Sequence, residues 1–225
     1  MIPLMTVMAA PKTFPDREKA GQWLAGLLGE YRGDEEAVVL ALPRGGVPVA
    51  AGISRELGLP LDLLMVRKLG FPDNPELAMG AIASGGVTVL NDWPDLSSGG
   101  LRAALERVTR YEKEELERRE KVYRAERPAL EVRGKVAIVV DDGLATGATM
   151  RVAVEALRER GVSRCVVAAP VGSESACARL REVADEVVCA LVPPDFRGVG
   201  QFYEDFRQTT DAEVIHYLEQ QPPTD

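Results

Sequence analysis

Five apolar residues, Val136-Ala-Ile-Val-Val140, end abruptly in two adjacent carboxylates, Asp141 and Asp142. A short, β-branched apolar run with a polar end reads as a strand buried on both faces, the kind found in parallel sheets. The loop that follows is small and hydroxyl-bearing: Gly143, Leu144, Ala145, Thr146, Gly147, Ala148, Thr149. Val152, Ala153, Ala156 and Leu157 then share one helical face from Met150 to about Arg160, and Gly161 is a natural stop. A strand that feeds a helix through such a turn commits the chain to an α/β architecture.

The same turn dictates a chemistry. Small residues between a strand and a helix leave backbone N–H groups open, and the helix N-terminus adds partial positive charge. With threonine hydroxyls as neutral donors, the turn is a phosphate cradle. No Gly-Lys-Ser/Thr closes the loop, so a nucleotide P-loop is excluded. The two carboxylates would repel a phosphate in contact with them. Neighbouring ribose hydroxyls suit them, because carboxylates accept hydrogen bonds from hydroxyls.

A second cradle lies upstream. Ala37–Leu42 and Leu61–Arg67 read as strands around a helix from Val47 to Leu57, a βαβ unit with a right-handed crossover. The loop at its first turn is Pro43-Arg-Gly-Gly-Val-Pro48. Gly45 and Gly46 bare the backbone and Arg44 adds a formal charge. Arg67 and Lys68 follow at the end of the next strand. They are either a solvated edge or two more cations at the carboxyl edge, where open α/β sheets bind ligands.

Taken together, Val139-Val-Asp-Asp-Gly-Leu-Ala-Thr-Gly-Ala-Thr149 resembles the phosphoribosyl pyrophosphate (PRPP) motif of type I phosphoribosyltransferases. The family pattern is an apolar strand, two acids, three variable residues, then Thr-Gly-small-Thr. The resemblance covers roughly residues 37–191. It implies a mostly parallel sheet of about five strands flanked by helices, with PRPP bound alongside Mg²⁺ and no metal ligand directly from the protein. It also implies transfer of phosphoribose to a nitrogen nucleophile, such as a nucleobase, with release of pyrophosphate. Residues 143–149 would cradle the 5-phosphate, and Asp141 and Asp142 would hold the ribose. Gly45 and Gly46 would form the pyrophosphate loop, with a cis peptide near Pro43–Arg44. Arg44, Arg67 and Lys68 would balance charge on the leaving group. The segment Leu69–Ala78 is similar to the family's mobile loop over the active site. The rival from another class is a regulator that binds PRPP without turnover.

The remaining segments are less specific. Pro15–Leu28 is a first helix, with Trp23 as a packing anchor. Ala81–Ala83 and Thr88–Leu90, around Ser84-Gly-Gly86, read as a hairpin. Asn91–Gly100 is a loop. Leu101 to about Arg127 is a long charged helix, laced by acid-before-base pairs such as Glu115–Arg119 and Glu120–Arg124. Its apolar stripe is Leu101, Leu105, Val108 and Tyr111, and it reads as a surface or dimer-contact helix. Strand 164–169, helix 174–183 and strand 187–191 complete the alternation. From Val192 the chain turns rich in aromatics, glycine and acids, a hood about 192–218 that ends in a short helix, Asp211–Leu218. Phe196 and Tyr203 there are either a mini-core or a face for a flat acceptor base. The last residues, 220–225, should fray.

The chain has 225 residues and a net charge of −8, ordinary for one α/β domain with additions. That charge excludes a broad basic face for duplex nucleic acid. One histidine, His216, rules out a histidine-based metal cluster or triad. Cys165, Cys177 and Cys189 form no CxxC pair and read as core thiols of a reducing, cytoplasmic setting. No apolar run approaches the roughly 18 residues of a membrane span. Met1–Ala10 has no basic start, so it does not read as a signal peptide. The expected partners are PRPP, a small-molecule acceptor and a second copy of the chain.

Overall fold

The computed structural model describes residues 11–71, 73–91, 99–125 and 127–220. The expectations for residues 1–10, 92–98 and 221–225 lie outside these.

Five strands make a parallel sheet: β1 (Ala37–Ala41), β2 (Leu61–Leu63), β6 (Val136–Val140), β7 (Arg164–Val171) and β8 (Glu186–Leu191). Their spatial order is β2-β1-β6-β7-β8. β1 and β6 are central, and their uninterrupted apolar sequences follow from that place, because both faces are covered. Alternate residues serve opposite sides. Ile138 and Val140 pack toward Leu24, Ile53 and Leu57 of helices α1 (Arg17–Leu27) and α2 (Gly46–Leu57). Ala137 and Val139 pack toward Met150, Val154 and Leu157 of α4 (Ala148–Glu159), and toward Leu180 of α5 (Glu174–Leu180). The expected fold is therefore present.

A second sheet departs from expectation. The strand predicted to run from Leu61 to Arg67 leaves the parallel sheet at Leu63. Leu64 N–H still reaches Ala41 O at 2.9 Å, but Met65 N–H donates to Ser84 Oγ at 2.8 Å and Met65 O accepts from Ser84 N–H at 2.8 Å. That double tie starts a new antiparallel ladder. β3 (Val66–Phe71) pairs with β4 (Asn74–Ala83), and β4 with β5 (Thr88–Leu90). The hairpin expected at 81–90 is its far half. The stretch expected as a mobile loop, Leu69–Ala78, lies largely within the first two strands.

α3 (Gly99–Arg124) backs this second sheet. Its packing edge is carried by Ala104, Leu116 and Tyr123, all buried, with Leu105 and Val108 alongside. Tyr111, read as part of that stripe, is 66% exposed. At its carboxyl end Arg124 pairs with Asp62 of β2 and donates to Leu63 O at 2.7 Å; Leu130 N–H closes on Asp62 Oδ2 at 2.8 Å. Glu120 makes its expected pair with Arg124 at 3.7 Å, but half-buried and not on a solvated face, where it also accepts from Ser84 Oγ.

The hood is built from both ends of the chain. Phe14 N–H donates to Phe202 O at 2.8 Å and Glu204 N–H to Phe14 O at 2.9 Å. α6 (Asp211–Glu219) closes the fold against α2 and α3, with a capping box between Thr210 and Glu213.

Candidate active site

The two cradles meet at the carboxyl edge of β1 and β6. The Pro43–Arg44 peptide is cis, and α2 begins two residues later. A Cβ at Gly45 would lie 2.1 Å from Asp142 Oδ2, and one at Gly46 would lie 2.5 Å from Val140 O. Only glycine permits this approach, so the first loop rests directly on the acid pair.

Asp142 N–H donates to Asp141 Oδ1 at 2.8 Å. Burial, and then the neighbouring Asp142 carboxylate, push the Asp141 carboxyl up to about 8. Asp142 accepts at Oδ2 from Arg17 Nε at 2.8 Å, and its backbone O accepts from the Tyr203 hydroxyl at 2.7 Å.

The second cradle is pinned from behind. Leu144 is buried, its N–H donating to Val171 O at 2.8 Å and its O accepting from Ser173 N–H at 2.9 Å. Ser173 Oγ donates to Ala145 O at 2.8 Å, and Arg179 to Thr146 O at 3.0 Å. Gly147 takes φ 73°, which glycine adopts without strain, and stands as the N-cap of α4 with no side-chain cap. Ala148 N–H reaches Thr146 Oγ1 at 3.4 Å, and the N–H groups that follow it in the first turn of α4 are open to a ligand. Ala145, Thr146, Ala148 and Thr149 are exposed here. Gly143 lies under Val199 of the hood, whose methyls would be 2.5 Å from a Cβ at that position.

A cavity of about 470 Å³ opens between the start of α4 and the second sheet, lined by Thr146–Thr149, Lys68, Arg151 and Arg179 among others. Lys68 thus shares a hollow with the turn before α4, although it sits on β3 and not at the end of a parallel strand. Arg67 turns away and pairs with Glu112 of α3. Arg44 also turns outward, 3.4 Å from Asp211 of α6.

The two hood aromatics are committed to packing. Tyr203 is 6% exposed with its hydroxyl on Asp142 O, and burial raises its pKa. Phe196 stacks on Phe202 with centroids 6.0 Å apart. Tyr203 therefore offers no open ring face to an acceptor.

Arg17 is the residue that sequence reasoning passed over. Asp16 caps α1, accepting from Lys19 N–H at 2.7 Å, so Arg17 is the first residue of the helix. A cation there opposes the helix dipole, which favours acids in the first turn. That misfit was the available signal.

Among the described residues, no three His, Cys, Asp or Glu side chains gather as a metal site. With Asp142 already on Arg17, the donor set fits an ion carried on a ligand's own oxygens and not one held in a protein cage. No described helix is long and apolar enough to cross a membrane. The three cysteines are free.

Comparison with known proteins decides the family. The phosphoribosyl transferase domain model matches residues 16–207. The chain belongs to the phosphoribosyltransferase family. Two proteins of Mycobacterium tuberculosis, strains CDC 1551 and H37Rv, provisionally named phosphoribosyl transferases, are each 46% identical over 208 residues. The match covers 92% of this chain but 47% of theirs, so the chain spans about half the length of these curated relatives. The solved structure of TT1426 from Thermus thermophilus is 43% identical, with a TM-score of 0.81, and the match covers 92% of this chain and 97% of that one.

Proposed function

We propose that the protein transfers 5-phosphoribose from PRPP to a nitrogen nucleophile, with release of pyrophosphate. The observation that carries this reading is the seating of Gly45 and Gly46 on Val140 and Asp142. That close approach sets an open glycine loop beside the acid pair, which supports reading the loop as the pyrophosphate cradle and the acids as the ribose site. Just downstream, the open end of α4 suits the 5-phosphate.

In this reading Asp141 and Asp142 accept from the ribose hydroxyls, and residues 143–149 hold the 5-phosphate by backbone N–H and threonine hydroxyl. The Gly45–Gly46 amides hold the pyrophosphate. Charge grows on that group as the bond to carbon 1 breaks, and preorganised donors stabilise it most in the transition state. Lys68 reaches the hollow of the 143–149 turn from β3, so it faces the 5-phosphate in this reading, whereas Arg44 and Arg67 need to leave Asp211 and Glu112 to contribute. Magnesium carried on the ligand would supply charge neutralisation at the pyrophosphate. Asp141 and Asp142 are the carboxylates available to its water shell, since magnesium keeps several waters. The hood side of the sugar is left for the acceptor, which we take to be a nucleobase.

The test is pyrophosphate release from PRPP over a panel of purine and pyrimidine bases, with PRPP binding measured in parallel by calorimetry. Release with one base supports the transferase. Tight PRPP binding with no release from any acceptor makes the protein a sensor of PRPP. No binding at all overturns the reading.

A further inference from the structure

We infer that Arg17 is a positioning residue for the ribose site: it holds Asp142 in place and thereby joins the hood to the PRPP motif. This rests on the proposed function, because the role of Asp142 toward a ribose does.

Arg17 makes three contacts that only a planar, multi-donor side chain can make together. Its Nε donates to Asp142 Oδ2 at 2.8 Å and its Nη1 to Arg207 O at 2.8 Å. The guanidinium lies 4.0 Å from the centroid of the Phe206 ring. Its side chain is 10% exposed and that of Asp142 is 17% exposed. A fork held at two points and stacked on a ring has little freedom left, and so neither has the carboxylate it grips. The pair occupies one carboxylate oxygen and leaves Oδ1 to accept from a ligand hydroxyl.

Its surroundings point the same way. The Tyr203 hydroxyl secures the backbone of Asp142, so the acid is gripped at two atoms, by Arg17 from α1 and by Tyr203 from the hood. Gly45 presses on the oxygen that Arg17 holds. One ion pair thus ties α1, the hood and the pyrophosphate loop to a single acid. A helix-starting arginine that opposes its own helix dipole gains nothing locally, so its place is explained by what it reaches.

The experiment is calorimetric titration of the full chain with three magnesium-saturated ligands: PRPP, ribose 5-phosphate and inorganic pyrophosphate. Arg17→Gln should weaken the two ribose ligands about tenfold or more, the scale of a lost charge-assisted hydrogen bond. Pyrophosphate, which does not present a ribose, should change by less than about twofold. Arg17→Lys keeps the charge without the fork and should fall between wild type and glutamine for the ribose ligands alone; it serves as the decisive variant if Arg17→Gln does not fold. An equal loss across all three ligands makes Arg17 a structural clamp and overturns the inference. Unchanged ribose affinity in either variant does the same. If the wild type binds no PRPP, the functional reading and this inference fall together; wild-type binding with indifferent Arg17 variants sinks the inference alone.

Discussion

Asp141 gives the acid pair a pH signature. Its carboxyl is raised from an ordinary 3.8 to about 8, first by burial and then by Asp142. Between those values the folded protein holds a proton that the unfolded chain has lost. Unfolding then releases a proton, so this group's contribution to stability is full below about pH 4 and declines as pH rises through 8. Asp141→Asn removes the decline. Thermal melts from pH 6 to 9 should show wild type losing ground to the variant as pH increases. PRPP affinity should move oppositely, because ribose hydroxyls need an ionised acceptor: it should rise through pH 8 in wild type and stay flat and weak in Asp141→Asn. Gly45→Ala tests the neighbouring contact. A methyl 2.1 Å from Asp142 Oδ2 forces the loop off the acid pair, and pyrophosphate affinity measured by calorimetry should drop by tenfold or more, about 1.4 kcal/mol.

Elements act here by which face they commit. α3 is charged along most of its length, yet it is anchored to the second sheet through the fully buried Leu116. Leu116→Ala should cost about 2–4 kcal/mol by chemical denaturation, the transfer and cavity cost of a core leucine. Tyr111→Ala, on the exposed side of the same helix, should stay within about 0.5 kcal/mol. The ion pairs Arg118–Glu115 and Arg119–Glu115 hold the Glu115 carboxyl well down, to about 2, but they are solvent-exposed and add little to the fold. At the second sheet, the tie between Met65 and Ser84 does what no propensity forecasts: it peels the chain from a parallel edge into an antiparallel ladder.

At the scale of the whole molecule, two long-range ion pairs stitch the site to its scaffold. Arg17–Asp142 joins the chain's start to the central motif, and Arg124–Asp62 joins the end of α3 to the edge strand β2. The second pair is buried, and removing one partner leaves an unpaired charge. Arg124→Met should destabilise by about 3–5 kcal/mol in denaturant melts. Asp62→Asn with Arg124→Met should recover part of that loss, because neither charge is then stranded.

The central sheet, its parallel sense and both backbone cradles were legible in the sequence. Each is written in local pattern: continuous apolar strands, glycines at close approaches, a small-residue turn before a helix. Those signals are short-range, and short-range sterics and burial fix them. Where the charged side chains point was not legible. Arg44 and Arg67 turn to Asp211 and Glu112, acids 167 and 45 positions away. Arg17 lies 125 positions from the acid it grips. A flexible cation settles on whichever carboxylate the folded chain brings near, and that distance exists only once the sheet, the hood and α3 have closed around one another.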